Sequence, residues 1–271
     1  MRSVDELLHS VLAGNGNHRA EGDGLDTPVT VAFSTRQGAH HPGRQTGYRN
    51  EVVCVRVGSA VGACSVEPGE LREEEVFAAL GRPVRALLEH PSRAVRVATL
   101  DAYLMDRRPF GSDPDAVART LPAGDSLAKS TARARAVVDL LPADLGGPVA
   151  VIGVVNSLLH ALRDRGLTYL PCDLKGGVTE WDEPVLTAAP LDTAGALLVS
   201  GMTLGNGTFE GLLDHARDAG VPLVVFAQTG SAVAREFLGS GVTALSAEPY
   251  PFFWLDGGPT TLHHYPSKGS S

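Results

Sequence analysis

The chain is expected to fold as an α/β protein in two parts, an α+β unit followed by a doubly wound parallel sheet. Three observations predict this. Residues 149–155 read Val-Ala-Val-Ile-Gly-Val-Val, the continuous apolar run of a strand buried on both faces. After it, short β-branched runs alternate with amphipathic stretches at the spacing of right-handed βαβ units. Before it, strand-like runs come together and helix-like runs follow as a block, as in an α+β unit. The change of pattern falls between residues 142 and 148, giving parts at 1–145 and 146–271.

Taken in order, Ser3 to Ala13 reads as a helix with Val4, Leu7, Leu8 and Val11 on one face. A polar, glycine-rich connection runs from Gly14 to Thr27. Pro28 to Phe33, Glu51 to Val57 and Val61 to Val66 read as strands. Between the first two lies Ser34 to Asn50, a polar excursion carrying Arg36, His40, His41, Arg44, Tyr48 and Arg49. Helical patterns cover Glu73 to Leu88, broken near Gly81 and Pro83, then Ser92 to Met105 and Ser126 to Leu141. Asp106 to Gly124 reads as irregular connection. In the second part, strands are expected at 149–155, 167–171, 194–199, 221–226 and 242–245, with helices at 157–165, 208–219 and 232–238.

Composition sets aside whole classes of function. The 271 residues carry a net charge of −8, which argues against nucleic acid or an anionic membrane surface as partner. No run of 18 apolar residues occurs, and the first residues lack a signal-peptide core, so a cytoplasmic protein is expected. Cys54, Cys64 and Cys172 are odd in number and widely spaced, and read as small buried hydrophobes. Of the 23 basic residues only Lys129, Lys175 and Lys268 are lysines, an imbalance that points to a GC-rich genome.

In an open parallel sheet, ligands bind beyond the carboxyl ends of the strands. That rule selects 153–157, 172–177, 200–208 and 227–231, all rich in small polar residues whose amides can approach a ligand. Asn156, Ser200, Thr203, Asn206, Gly207, Thr208, Gln228 and Thr229 are therefore the expected substrate-binding residues, with Arg36 and Tyr48 reaching in from the polar excursion. Thr208 is placed as the N-cap of a helix whose first amides could hold an anion; Asn206 and Thr208 serve equally well as caps alone. A dinucleotide fingerprint is missing, because 153–158 reads Gly-Val-Val-Asn-Ser-Leu, so neither NAD nor FAD is expected. No Gly-x-Ser-x-Gly elbow is present, which sets aside the standard serine hydrolase. Asp173, at a strand end, and Asp101, on a partly apolar helix, are the expected catalytic acids; each is otherwise a cap or surface acid. His40 and His41 are the candidate metal ligands, although neighbours in an extended segment point to opposite sides.

The run 200–208, Ser-Gly-Met-Thr-Leu-Gly-Asn-Gly-Thr, followed by Leu212-Leu213, resembles the Thr-Leu-x-Asn-Gly-Thr turn of the putative heavy-metal chelation family. Residues 93–102 are similar to that family's helix ending in Asn-Ala, with Asp101 in the Asn position. Residues 221–231 are similar to its strand and turn, with Gln228-Thr229-Gly230 replacing Gly-Pro-Ser/Thr. The resemblance spans most of 28–250. It implies an N-terminal domain similar to the enolase N-terminal fold (1–145), a Rossmann-like domain (146–271), and a divalent metal as the cofactor to test. The chemistry compatible with the residues is non-redox: proton abstraction by an acid, with amides receiving an anion, as in a lyase or cyclase of bacterial specialised metabolism. The alternatives are a metal-chelating protein without catalysis and a non-catalytic subunit of a partner enzyme. A small-molecule substrate is expected, with a homodimer as the default assembly.

Overall fold

Between residues 31 and 66, β-branched runs are joined by Gly-containing segments too short for a crossover helix, which favours hairpin pairing. In the computed structural model, which describes residues 1–14, 24–41, 44 and 47–267, these residues form an antiparallel meander. Its strands are β1 (Val31–Ala39), β2 (Tyr48–Val57) and β3 (Ala60–Val66). The pairing of β1 with β2 runs from Val31 opposite Arg56 to Ala39 opposite Tyr48. The polar excursion expected over 34–50 is thus mostly strand. Polar residues on a half-solvated hairpin cost nothing, and exposure alternates along β1 accordingly.

The helices of the first part follow from their apolar spacing. Helix α1 (Val4–Leu12) starts where Ser3 Oγ accepts the Glu6 N–H, and it buries Val4, Leu7, Leu8 and Val11. Gly81 in the left-handed region and Pro83 separate α2 (Glu73–Phe77) from α3 (Val84–Leu88). The longest helix, α4 (Arg93–Arg107), is buried from Ala94 to Met105 except at Arg96. Such burial all round requires covers on both sides. One is the meander, whose β3 crosses α4 so closely that a Cβ on Gly62 would stand 2.1 Å from the Ala102 nitrogen. The other is the second part of the chain.

That part contains β4 (Val117–Leu121), α5 (Ser126–Val138), β5 (Val149–Ile152), α6 (Asn156–Asp164), β6 (Tyr169–Cys172) and β7 (Ala196–Ser200). It continues with α7 (Met202–Asn206), α8 (Phe209–Ala219), β8 (Leu223–Ala227), α9 (Ser231–Arg235), β9 (Ala244–Ala247) and β10 (Thr260–Tyr265). The sheet order is β4-β10-β9-β8-β7-β5-β6. Five strands are parallel in the order β6-β5-β7-β8-β9, with β6 at one edge, and β10 and β4 complete the other side antiparallel. The order reverses direction between β5 and β7, which makes their carboxyl ends the switch point. The α5 and α6 helices cover one face through Val137, Val149, Leu158 and Leu162. On the other face a continuous core joins Val53, Val55 and α4 to Leu197, Val199 and Val225.

Strands β4 and β10 and helix α7 were not legible beforehand. Residues 106–124, expected to be irregular, contain β4, whose pairing partner β10 lies about 140 residues away, a separation no local pattern records. Strand β4 and helix α5 both precede residue 145 yet pack with the second sheet. Helix α7 is a single turn of small residues inserted into the glycine-rich run after β7. Among the described residues no helix is long and apolar enough to cross a membrane.

Beneath α4 and α9 lies a buried ionic cluster. Arg235 meets Asp113 at 3.4 Å, donates to Arg108 O at 2.7 Å and lies over the Phe110 ring, while the Tyr265 hydroxyl donates to Asp113 at 2.8 Å. Removing the acid takes a counter-ion from a cation with no exposure of its side chain and leaves it Glu236 at 3.7 Å. Asp113→Ala is expected to cost about 3 kcal/mol or more of unfolding free energy, read from urea denaturation; a loss below about 1 kcal/mol would contradict this account.

Candidate functional site

The switch point opens into a cavity of about 400 Å³, within the usual range for small-molecule sites. Gly153, Ser200, Phe226, Gln228 and Thr229 enter it from the ends of β5, β7 and β8. Asp173, Lys175, Val178 and Glu180 enter from the loop after β6, Ser130 and Arg133 from α5, and Phe252, Phe253 and Trp254 from the segment before β10. The meander supplies Gln37, His41, Arg44, Arg49, Asn50 and Ser65. The cavity therefore lies between the two parts of the chain.

One end is formed by the start of a helix and by small polar residues. Helix α6 starts at the cavity with Val155 as N-cap, which makes no side-chain cap hydrogen bond. Gly153 holds a φ of +88°, and a Cβ there would lie 2.7 Å from Ser200 Cβ, so only glycine keeps this turn open. Ser157 and Thr229 are 8% and 6% exposed, and both line the cavity. Arg49 adds an exposed cation at the rim.

The other end is aromatic. Phe253 and Trp254 meet edge to face with centroids 4.7 Å apart. The Arg133 guanidinium stands 5.0 Å from the Phe226 centroid and 5.7 Å from that of Phe253. Its Nε bonds both oxygens of Glu248, at 2.9 and 3.1 Å, and Ser246 donates to the same carboxylate. Lys129, almost fully buried, donates to Asp256 O at 3.0 Å and Thr260 Oγ1 at 2.9 Å, pinning the loop that carries the aromatic residues. The Trp254 indole donates to Gln37 Oε1 at 3.0 Å, joining that loop to β1.

The meander is also tied down by charge. Arg44 pairs with Glu180, which also accepts His160. His41, 9% exposed, places Nδ1 3.0 Å from Ser126 Oγ and Nε2 3.3 Å from Ser130 Oγ. Burial, followed by the nearby Arg44 cation, holds the His41 pKa below its usual value, so the ring is neutral at pH 7.

Of the residues expected from the sequence, Asn156, Asp173, Ser200, Gln228, Thr229 and His41 line the cavity. Asp173 forms an Asx turn, its Oδ1 accepting the Lys175 N–H at 3.0 Å. The Asn206–Thr208 turn is elsewhere, because α7 carries the chain away from the sheet end before α8 begins. Asn206 Oδ1 accepts from the Thr208 amide and hydroxyl, so both are turn-forming residues, and Gly207 supplies the left-handed residue between them. Thr203 is buried and bonds back to Ser200 O. Arg36 faces solvent and pairs with Glu51. Tyr48 is placed only by its backbone, opposite Ala39.

Asp101 does not reach the cavity. It is fully buried within α4, where Oδ2 accepts the Ala63 N–H of β3 at 3.0 Å and Oδ1 accepts the Ala232 N–H of α9 at 2.7 Å. It binds backbone, not substrate. Sequence reasoning read its burial correctly and its role wrongly, since a buried acid signals proton transfer only if it faces a reactant.

The residues that were missed are Ser130, Arg133, Glu248, Lys129 and the aromatic run 252–254. A signal did exist: Ser126, Ser130 and Arg133 fall at i, i+4 and i+7 of α5, a polar stripe on a helix that otherwise packs inward.

A metal finds no fitting donors here. His41 has both ring nitrogens against serine hydroxyls, His40 does not line the cavity, and Glu180 is engaged by Arg44. Among the described residues no group of three or more His, Cys, Asp or Glu side chains is gathered. The cysteines are free and buried, and burial pushes the Cys54 thiol up to about 12 and that of Cys172 to about 11, which disfavours thiolate ligation.

Fold and site together define a doubly wound α/β protein with a partly aromatic cavity at its switch point, closed on one side by an antiparallel meander. Residues 136–247 match the family model described as putative heavy-metal chelation, and the resemblance seen in the 200–208 turn is to this family. A solved protein of unknown function from the DUF364 family of Desulfitobacterium hafniense superposes with a TM-score of 0.58 at 16% identity. The match covers 94% of this chain and 97% of that one, and shows a shared fold. A mandelate racemase/muconate lactonizing protein from Herpetosiphon aurantiacus (15% identity, TM-score 0.34, covering 87% of this chain and 96% of that one) is too distant to bear on the reaction. No curated protein matches the chain.

Burial pushes the Asp101 carboxyl up to about 6, against the pull of the N–H groups it accepts. From its ordinary 3.8 up to 6, the folded chain holds a proton that the unfolded chain has lost, so this group's contribution to stability falls as pH rises through that window. Asp101→Asn is expected to flatten the decline between pH 4 and 6 in a series of urea melts; an unchanged slope would rule Asp101 out as its source.

Proposed function

We propose that the cavity binds a small anionic molecule with a planar or apolar body, and that the chain acts on it by non-redox proton transfer. The start of α6 at the cavity, where the N-cap makes no side-chain bond and Ser157 and Thr229 line the wall, carries this reading. Amides at a helix start favour an anion, and hydroxyls beside them can add donors to it. The aromatic end gives the rest of the molecule an apolar surface. Asp173 and neutral His41 are the cavity's bases. Elimination or ring closure needs only these parts: a base for one proton, and amides for the anion that departs. The assignment to bacterial specialised metabolism rests on composition alone.

The description of the matched family supports a second reading, metal chelation without catalysis. The donor set of the cavity argues against it, and we derive no step through a metal.

Isothermal titration with phenyl phosphate is expected to show one saturable site. Ser157→Ala and Thr229→Val should each weaken it about tenfold or more, consistent with loss of a hydrogen bond to a charged group. A folded protein that binds neither phenyl phosphate, phenylacetate nor inorganic phosphate would overturn the proposal. Exhaustive dialysis against EDTA is expected to leave both the melting temperature and this binding unchanged. A drop in either on chelation would restore a metal to the site.

A further inference from the structure

The polar stripe of α5 is more than a lining. Ser130 is 6% exposed, faces the cavity, and has His41 Nε2 3.3 Å from its Oγ. The second ring nitrogen of His41 stands 3.0 Å from Ser126 Oγ, one turn earlier on the same helix. A neutral imidazole has one N–H and one lone pair. With Nδ1–H donating to Ser126 Oγ, Nε2 is left to accept the Ser130 hydroxyl proton. Arg133, one turn further along the stripe, brings a guanidinium to the same cavity, its Nε held by Glu248. Nucleophile, base, orienting group and a fixed cation are thus set along one helix and the loop beside it, the arrangement that activates a hydroxyl.

We propose that Ser130 is a nucleophile for acyl transfer, with His41 as its base and Ser126 as a positioning residue, acting on a carboxylic ester that carries an anionic group. The proposal rests on the cavity being an anion site, since α6 would hold that group. As the Ser130 Oγ–acyl bond forms, His41 Nε2 takes the hydroxyl proton, and the Arg133 charge stabilises the tetrahedral oxyanion. Collapse breaks the ester C–O bond, and the proton on Nε2 passes to the departing alkoxide. Water then attacks the acyl carbon and yields its proton to His41. The Oγ–acyl bond breaks, and Ser130 regains a proton from His41. A hydroxyl of the substrate in place of water gives ring closure, the cyclase form of the reading above. The missing Gly-x-Ser-x-Gly elbow does not bear on this, because that motif describes a serine on a strand-to-helix turn and Ser130 lies within a helix.

The full chain is treated with a fluorophosphonate probe and examined by intact-mass and peptide mass spectrometry. One adduct at Ser130 is expected, competed by phenyl phosphate, absent in Ser130→Ala and formed about 10²–10⁴-fold more slowly in His41→Gln. Ser126→Ala should shift the pH of half-maximal labelling, which a purely structural serine would not do. If Ser130→Ala does not fold, Ser130→Cys tests the same point: a thiol beside His41 should be alkylated by iodoacetamide at pH 6 ahead of the three buried native cysteines. Absence of an adduct in wild-type protein that still binds phenyl phosphate overturns the nucleophile and leaves the binding site standing. An adduct mapping to a different serine also overturns it. Loss of both labelling and binding overturns the reading of the cavity itself.

Discussion

The carboxylate of Asp101 joins the two halves of the molecule. From the middle of α4 it accepts one N–H from β3 and another from the first turn of α9, and the Gly230 N–H adds a bond to Ala63 O at 2.8 Å. An acid enclosed this deeply is costly to keep charged, and only the backbone donors around it make the position tolerable. In return the meander and the parallel sheet are held in one register. Ser65 enters the cavity from the strand on one side of this joint and Thr229 from the turn on the other.

With that joint in place, the cavity follows from topology. The reversal of strand order between β5 and β7 leaves the ends of both strands uncovered, and the meander projects across them. The charges brought in by this arrangement are mostly paired inside the protein. Arg133 is matched by Glu248, Arg44 by Glu180, and Lys129 by loop oxygens. These pairs fix the walls of the cavity.

Likeness to the heavy-metal chelation family and the cavity chemistry bear on different levels. The family match covers 136–247, which includes most of the second sheet and its turns but none of the meander. The side chains that distinguish this cavity come from both regions. His41 belongs to the β1–β2 connection, and Ser130 lies just before the matched segment. The match therefore speaks to fold, while the donor set around His41, Asp173 and Glu180 speaks against chelation at this place.

The sequence by itself determined the elements whose signals are local. The apolar run at 149–155, of which 149–152 is strand, the apolar face of α1, the break between α2 and α3, and the parallel alternation all depend on neighbours a few residues away. The sheet-end rule also located Asn156, Asp173, Ser200, Gln228 and Thr229 beforehand, because strand ends are legible wherever strands are. Only the tertiary structure decided the rest. The partner of β4 lies about 140 residues away, Asp101 is turned toward backbone N–H groups rather than the cavity, and α7 removes the Asn206 turn from it. His41 meets Ser130 across 89 residues. A periodicity can say that α5 carries a polar stripe, but what that stripe faces is set by long-range packing, which no local pattern encodes.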